Sequence, residues 1–243
     1  MHHNVAWKTD RVFYKGDHHF IYNNLVFDSH LNDLIISSDT IIQGWNYHTI
    51  TRNNICNKFS GSRTQPGREN PVPGIVDHNW AGNFKGADVR TQLRDPDNLD
   101  FRPKEGSELV DAGALIDGKD IDFFGKAPDI GPYEFGDRNY RIPGYQGPEA
   151  RTPVPPDGGS HVKTDADLMW LKAYKADAHA VYFGTDQVAL EKAGASSPEY
   201  MGIFRHNIFS PGPLDQGQTY YWRVDAVDAS GTKKGEVWRF TVE

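Results

Sequence analysis

Four short units of the form Asn-apolar-small recur along the first third of the chain: Asn4-Val5-Ala6, Asn24-Leu25-Val26, Asn54-Ile55-Cys56 and Asn79-Trp80-Ala81. They are spaced by 20, 30 and 25 residues, and the residue three positions before each Asn (Met1, Ile21, Thr51, Val76) is uncharged. Recurrence at about 20 to 30 residues is the signature of a solenoid, in which each repeat buries its apolar side against its neighbours. The repeats carry no Leu at fixed spacing. They are rich instead in short runs such as Arg11 to Tyr14, Asp33 to Ser37 and Thr49 to Thr51, which favours stacked β coils over helical or leucine-rich repeats. An Asn in such a coil marks a corner between two short strands. There it tolerates left-handed backbone geometry and hydrogen-bonds the Asn of the next coil, as stacked amides do in cross-β ladders. Adjacent, equivalent corners at Asn24 and Asn54 would set Ile21 over Thr51 and Val26 over Cys56.

The pattern around Ile21-Tyr22-Asn23-Asn24-Leu25-Val26, followed by Asp33-Leu34-Ile35-Ile36 and the second Asn53-Asn54-Ile55, resembles the right-handed parallel β-helix, the pectate-lyase-like architecture of many polysaccharide-active proteins. The runs LDFRPKEGSELVDAGALI (99 to 116) and PDIGPYEFG (128 to 136) are similar to the segment that closes many such helices. In that segment Asp111 and Asp129 read as structural carboxylates that accept hydrogen bonds from turn amides. The resemblance covers about 140 residues, and residues 1–142 are assigned to this unit. Because Asn4 already stands at the repeated corner and no cap precedes it, the chain is expected to be the C-terminal part of a longer protein whose earlier coils lie upstream.

Residues 143–159 hold five prolines and no periodic apolar pattern, and read as a stiff linker. Beyond it the text changes to short alternating segments, ADLMWLKA, HAVYFGTD, MGIFRHNIF, QTYYWRVDAVDA and GEVWRFTVE, the pattern of an all-β sandwich. Residues 150–243 resemble the fibronectin type III family. Leu214 followed six residues later by Tyr220 matches its tyrosine corner, in which the phenol hydroxyl bonds upstream backbone. Alternation puts Tyr220, Trp222, Val224 and Ala226 on one face, with Trp170, Trp238, Phe240 and Val242 completing the core. The fold class is therefore all-β, a right-handed parallel β-helix joined to a fibronectin type III-like β-sandwich.

The net charge of −7 gives no reason to expect nucleic acid as a partner, and it repels polyanionic glycans at long range. No apolar run is long enough to span a membrane. MHHNVAWKTD lacks the basic and apolar regions of a signal peptide, so a secreted or periplasmic location is implied by the resemblance alone. The single cysteine, Cys56, aligns with Ala6, Val26 and Ala81 and reads as a small buried hydrophobe. The chain is read as a monomer.

The resemblance implies either lyase chemistry, in which a basic residue removes a proton beside a uronate carboxylate neutralised by Arg or Ca²⁺, or hydrolysis by paired carboxylates. Both need groups stacked on the outer face of neighbouring coils. His18 with His48 and Tyr22 with Arg52 are aligned 30 positions apart, so His18, His48 and Arg52 are the catalytic candidates. Trp45 and Tyr47, in the excess of the longer interval, and Tyr22 are candidates for stacking on sugar rings, the alternative being that Trp45 covers the side of the coil and the His48-Arg52 pair is a solvated face. Asp28, His30 and Asp33 bring oxygen and imidazole donors to short spacing, but the spacing matches no established metal motif, and a solvated turn is the competing reading. No cofactor is expected here, although Ca²⁺ fits the parent protein. The partner is expected to be a polysaccharide or cell-surface glycan. The parent is read as a bacterial lyase or glycoside hydrolase, with this chain alone inactive. The rival reading is a non-catalytic carbohydrate-binding or cell-surface scaffold.

Overall fold

The computed structural model describes residues 1–38, 46–62, 71–119 and 122–243. Its contacts divide the chain into two compact units, Met1–Arg94 with Arg102–Gly136 and Asp95–Phe101 with Asp137–Glu243. Strands dominate, and no helix among the described residues is long and apolar enough to cross a membrane.

In the first unit ten short strands alternate among three parallel sheets: β1 (Val5–Trp7), β2 (Val12–Tyr14), β3 (Phe20–Tyr22), β4 (Leu25–Phe27), β5 (Leu34–Ile36), β6 (Ile50–Arg52), β7 (Ile55–Cys56), β8 (Phe59–Ser60), β9 (Ile75–Asp77) and β10 (Trp80–Ala81). The sheet orders are β1-β4-β7-β10, β2-β5-β8 and β3-β6-β9, so the chain visits each sheet in turn and returns one strand further along. Ile21 pairs with Thr51 and Val26 with Cys56, the register that the asparagine phase requires. Period-two alternation sends Ile21, Val26, Leu34, Ile36, Cys56, Phe59 and Ala81 into one apolar core. Cys56 is fully buried there, and burial raises its thiol pKa well above the ordinary value, so it behaves as a small hydrophobe.

The two adjacent asparagines do different jobs. Asn23 and Asn53 take the left-handed backbone, with φ of 51° and 54°, and the equivalent positions of the outer coils are His3 and His78 at 52° and 48°. The second asparagine of each pair builds the ladder: Asn4 Nδ2 donates to Asn24 Oδ1 (3.0 Å), Asn24 Nδ2 to Asn54 Oδ1 (2.8 Å) and Asn54 Nδ2 to Asn79 Oδ1 (2.9 Å). Two residues thus share the corner and ladder roles expected of one. Separating them leaves the ladder residue free to follow strand geometry while its neighbour makes the corner.

The closing segment packs through these corners. Asn53 accepts from the Ala114 amide (2.8 Å) and donates to the Ala114 carbonyl (2.8 Å), and Asn23 donates to the Gly131 carbonyl (3.0 Å). Gly131 has φ +114°, and a Cβ there would lie 2.3 Å from Ile55 Cδ1, so a side chain at this position is strained and displaces Ile55. Asp111 accepts from the Lys126 and Ala127 amides, and Asp129 from the Asp111 and Phe135 amides, the turn-bonding role expected of both. The strands β11 (Leu93–Asp95) and β12 (Asp100–Pro103) form a further two-stranded sheet.

The second unit contains β13 (Arg151–Val154), β14 (Gly159–Val162), β15 (Leu168–Leu171), β16 (Ala178–Gly184), β17 (Tyr200–Phe204), β18 (Ile208–Phe209), β19 (Thr219–Asp228), β20 (Gly231–Lys233) and β21 (Val237–Val242), with one helix, α1 (Gln187–Lys192). One sheet has the order β13-β15-β18 and the other β14-β21-β19-β16-β17, with β20 added on β19. Trp170, Tyr220, Trp222, Val224, Trp238, Phe240 and Val242 share one core, as alternation requires, while Ala226 is buried but outside that cluster. The Tyr220 hydroxyl accepts a hydrogen bond from the Asp215 amide (3.0 Å). Within the stretch read as linker, β13 and the start of β14 belong to these sheets, Ala150 is in the core, and the Gly147 carbonyl accepts from the Tyr174 amide (2.7 Å). Pro153 fits inside β13 because that strand lies at a sheet edge and its register shifts between Arg151 and Val154.

Candidate functional site

The outer face of the β3-β6-β9 sheet carries most of the residues that the sequence singles out. Ile21 and Thr51 point inward, so their neighbours point out, and parallel pairing stacks them as two ladders: Phe20–Ile50–Ile75 and Tyr22–Arg52–Asp77. His2 extends the second ladder, lying parallel to the Tyr22 ring at 4.7 Å between centroids. His2, with His3 edge-on and Phe20 alongside, covers Tyr22, which is therefore buried and not open to a sugar ring. Arg52 grips Asp77 with both ends of its guanidinium (2.6 and 2.7 Å) and donates to the Leu115 carbonyl (3.3 Å). The Arg52 hydrogen bonds hold the Asp77 carboxyl below the ordinary aspartate range, and the Asp77 contact raises Arg52. The charge of Arg52 is thus matched by Asp77.

At the corner before this sheet, His18 and His48 come together from successive coils. Their rings are parallel within 7° and 4.7 Å apart. Asp17 organises the pair. Its Oδ1 accepts the backbone N–H groups of His18 (2.9 Å) and His48 (2.7 Å), and its Oδ2 meets His48 Nδ1 at 2.6 Å and His18 Nε2 at 4.0 Å. Partial desolvation raises the Asp17 pKa, but the hydrogen bonds from His48 and His18 outweigh it and bring the carboxyl down to about 2. His18 is itself held at φ 60°, a left-handed corner. Tyr47 stands next to His48, exposed in a turn, whereas Trp45 lies outside the described residues.

Asp28, His30 and Asp33 do not converge. Asp28 takes both Arg90 nitrogens (2.9 and 2.5 Å) and the Trp7 indole N–H (3.1 Å), and Arg90 holds its carboxyl below the usual range. Asp33 is buried, which raises its pKa, while its oxygens accept the amides of Ser29, Asn57 and Lys58 (2.8 to 2.9 Å), tying one coil to the next. His30 is exposed, and its backbone amide donates to the Thr9 carbonyl (3.3 Å). Among the described residues, one cluster of three brings metal-ligating atoms together, and it is Asp17, His18 and His48. Sequence reasoning missed Asp17, although its signal was present: an Asp directly before the His that aligns with His48.

No protein-family model, curated protein or solved structure matches this chain.

Proposed function

We propose that the chain belongs to a bacterial, exported, polysaccharide-active protein built from a right-handed parallel β-helix of the pectate-lyase-like kind and a fibronectin type III-like sandwich. In this reading the described coils bind glycan and do not cleave it. The observation that carries the reading is the outer face of β3-β6-β9, where an apolar ladder from Phe20 to the exposed Ile75 runs beside an ordered row of polar side chains. Extended glycans pair apolar ring faces with such ladders and hydroxyl edges with fixed polar groups. Support for the sandwich comes from the Tyr220 hydroxyl bond to the Asp215 amide and from the two-sheet strand order. Binding without cleavage is favoured because Arg52 is matched by Asp77 and Asp28 by Arg90.

The test is affinity electrophoresis in gels containing neutral glycans or polygalacturonate. The glycan-binding reading predicts retardation by a neutral glycan, and the net charge of −7 predicts none by the polyuronate. Phe20→Ala and Ile75→Ala are expected to abolish the retardation. A chain that no glycan retards favours the second reading, a non-catalytic surface scaffold, for which the unbroken amide ladder and the paired outward charges also speak.

A further inference from the structure

We infer that Asp17, His18 and His48 form a binding site for a divalent cation of the zinc class, one that clips two successive coils together. The donor set is two imidazoles and one carboxylate, which suits borderline metals such as Zn²⁺ better than the oxygen-seeking Ca²⁺ or Mg²⁺. One ligand atom from each residue already lies within 4.8 Å of the other two. Around a tetrahedral zinc, ligand atoms at about 2.0–2.1 Å from the metal stand roughly 3.3 Å apart, so the cluster has about 1.5 Å to close.

Two features prepare this closure. Asp17 divides its oxygens: Oδ1 is fixed by the backbone N–H groups of both histidine residues, which leaves Oδ2 turned toward the two rings. The side chains of His18 and His48 are 77% and 68% exposed, so the His18 ring has room to turn, while the His48 ring turns by exchanging its 2.6 Å contact with Asp17 Oδ2. The parallel stack places both imidazoles on one side of the coil, and each ring has to tilt out of the stack to aim its lone pair at a common point. Three protein ligands leave the remaining coordination position to water. The site does not rest on the glycan reading, and absence of glycan binding leaves it intact.

His2 and His3 form a competing pair, with their Nδ1 atoms 2.9 Å apart. The experiment is therefore a calorimetric titration of the full chain with Zn²⁺ alone, in a His2→Ala/His3→Ala background. The expected result is one equivalent bound, with His48→Ala and His18→Ala each weakening it at least 100-fold. Asp17→Asn keeps the oxygen that accepts the two backbone amides, so the turn survives, and it is expected to weaken binding at least tenfold. Near-UV circular dichroism checks that each variant remains folded, as expected for solvent-exposed side chains. No bound zinc in the background chain, or an equivalent retained at unchanged affinity in the folded His18→Ala/His48→Ala variant, overturns the site.

Discussion

Asn54 sits inside the ladder with partners on every side. It receives the Asn24 amide and Nδ2 on its own Oδ1 and directs its Nδ2 toward the Ile21 and Arg52 carbonyls and Asn79 Oδ1. Asn54→Ala removes all of these in a buried place, where each unsatisfied group costs about 1–3 kcal/mol, and is expected to destabilise the first unit by at least about 3 kcal/mol. Asn4 begins the ladder in a more exposed position, so Asn4→Ala is expected to cost less than about 1 kcal/mol. Urea denaturation of the two variants compares them directly, and equal losses would refute the ladder as a source of stability. Tyr220 offers a parallel case in the second unit. Tyr220→Phe leaves the Asp215 amide without its acceptor, at an expected cost of roughly 1–3 kcal/mol, and an unchanged midpoint would remove the corner from the account. Both residues were legible beforehand, Asn54 from its phase and Tyr220 from its distance to Leu214. Arg90 was not, because its partner Asp28 lies 62 residues away across corners whose geometry no local pattern reveals, whereas Asp17 had a local signal in its place directly before His18.

Among the elements, β16 and its surroundings carry a pH dependence that can be worked out from one histidine. His179 is buried in that strand beside Trp170, and its Nε2 accepts the Ala173 amide (3.1 Å), an arrangement that needs the neutral ring. Burial, with a contribution from Lys172, lowers its pKa from 6.5 to about 4. The unfolded chain therefore binds more protons between these values. Stability from this group is fully present above pH 6.5 and is lost as pH falls toward 4, by about 3 kcal/mol in all. His179→Gln keeps an acceptor without the titration, and the second unit of that variant should show a flatter stability profile over the same range by fluorescence-detected denaturation. A profile as steep as wild type would mean that other groups set the slope. The strands of this unit stood out in the sequence through alternation. Helix α1 did not: it is short, and its N-cap, where Asp186 accepts the Ala189 amide (3.0 Å), offers only one local signal. Likewise β13 lay hidden in a stretch whose proline content suggested a linker.

At the scale of the whole molecule, the guanidinium nearest to a lyase role is already neutralised, and that bears on activity. Purified chain incubated with polygalacturonate is expected to yield no ultraviolet-absorbing unsaturated product. Product that forms and then disappears in Arg52→Ala would show that the Asp77 pairing opens to admit substrate. All-β character with stacked parallel strands was readable from four phased asparagines. The face that carries the candidate sites was only half readable, because alignment in sequence brings side chains to the same row without saying which of them neutralise one another.

The amide ladder has a further consequence for how such a protein can change over generations. Five residues (15–19) separate β2 from β3, whereas thirteen (37–49) separate β5 from β6, yet the strands on either side keep their pairing. Register is set by contact between asparagines and not by the length of chain between them. The corners are therefore free to gain or lose residues in evolution, and new binding surface can be added at a coil's edge without re-specifying the interior.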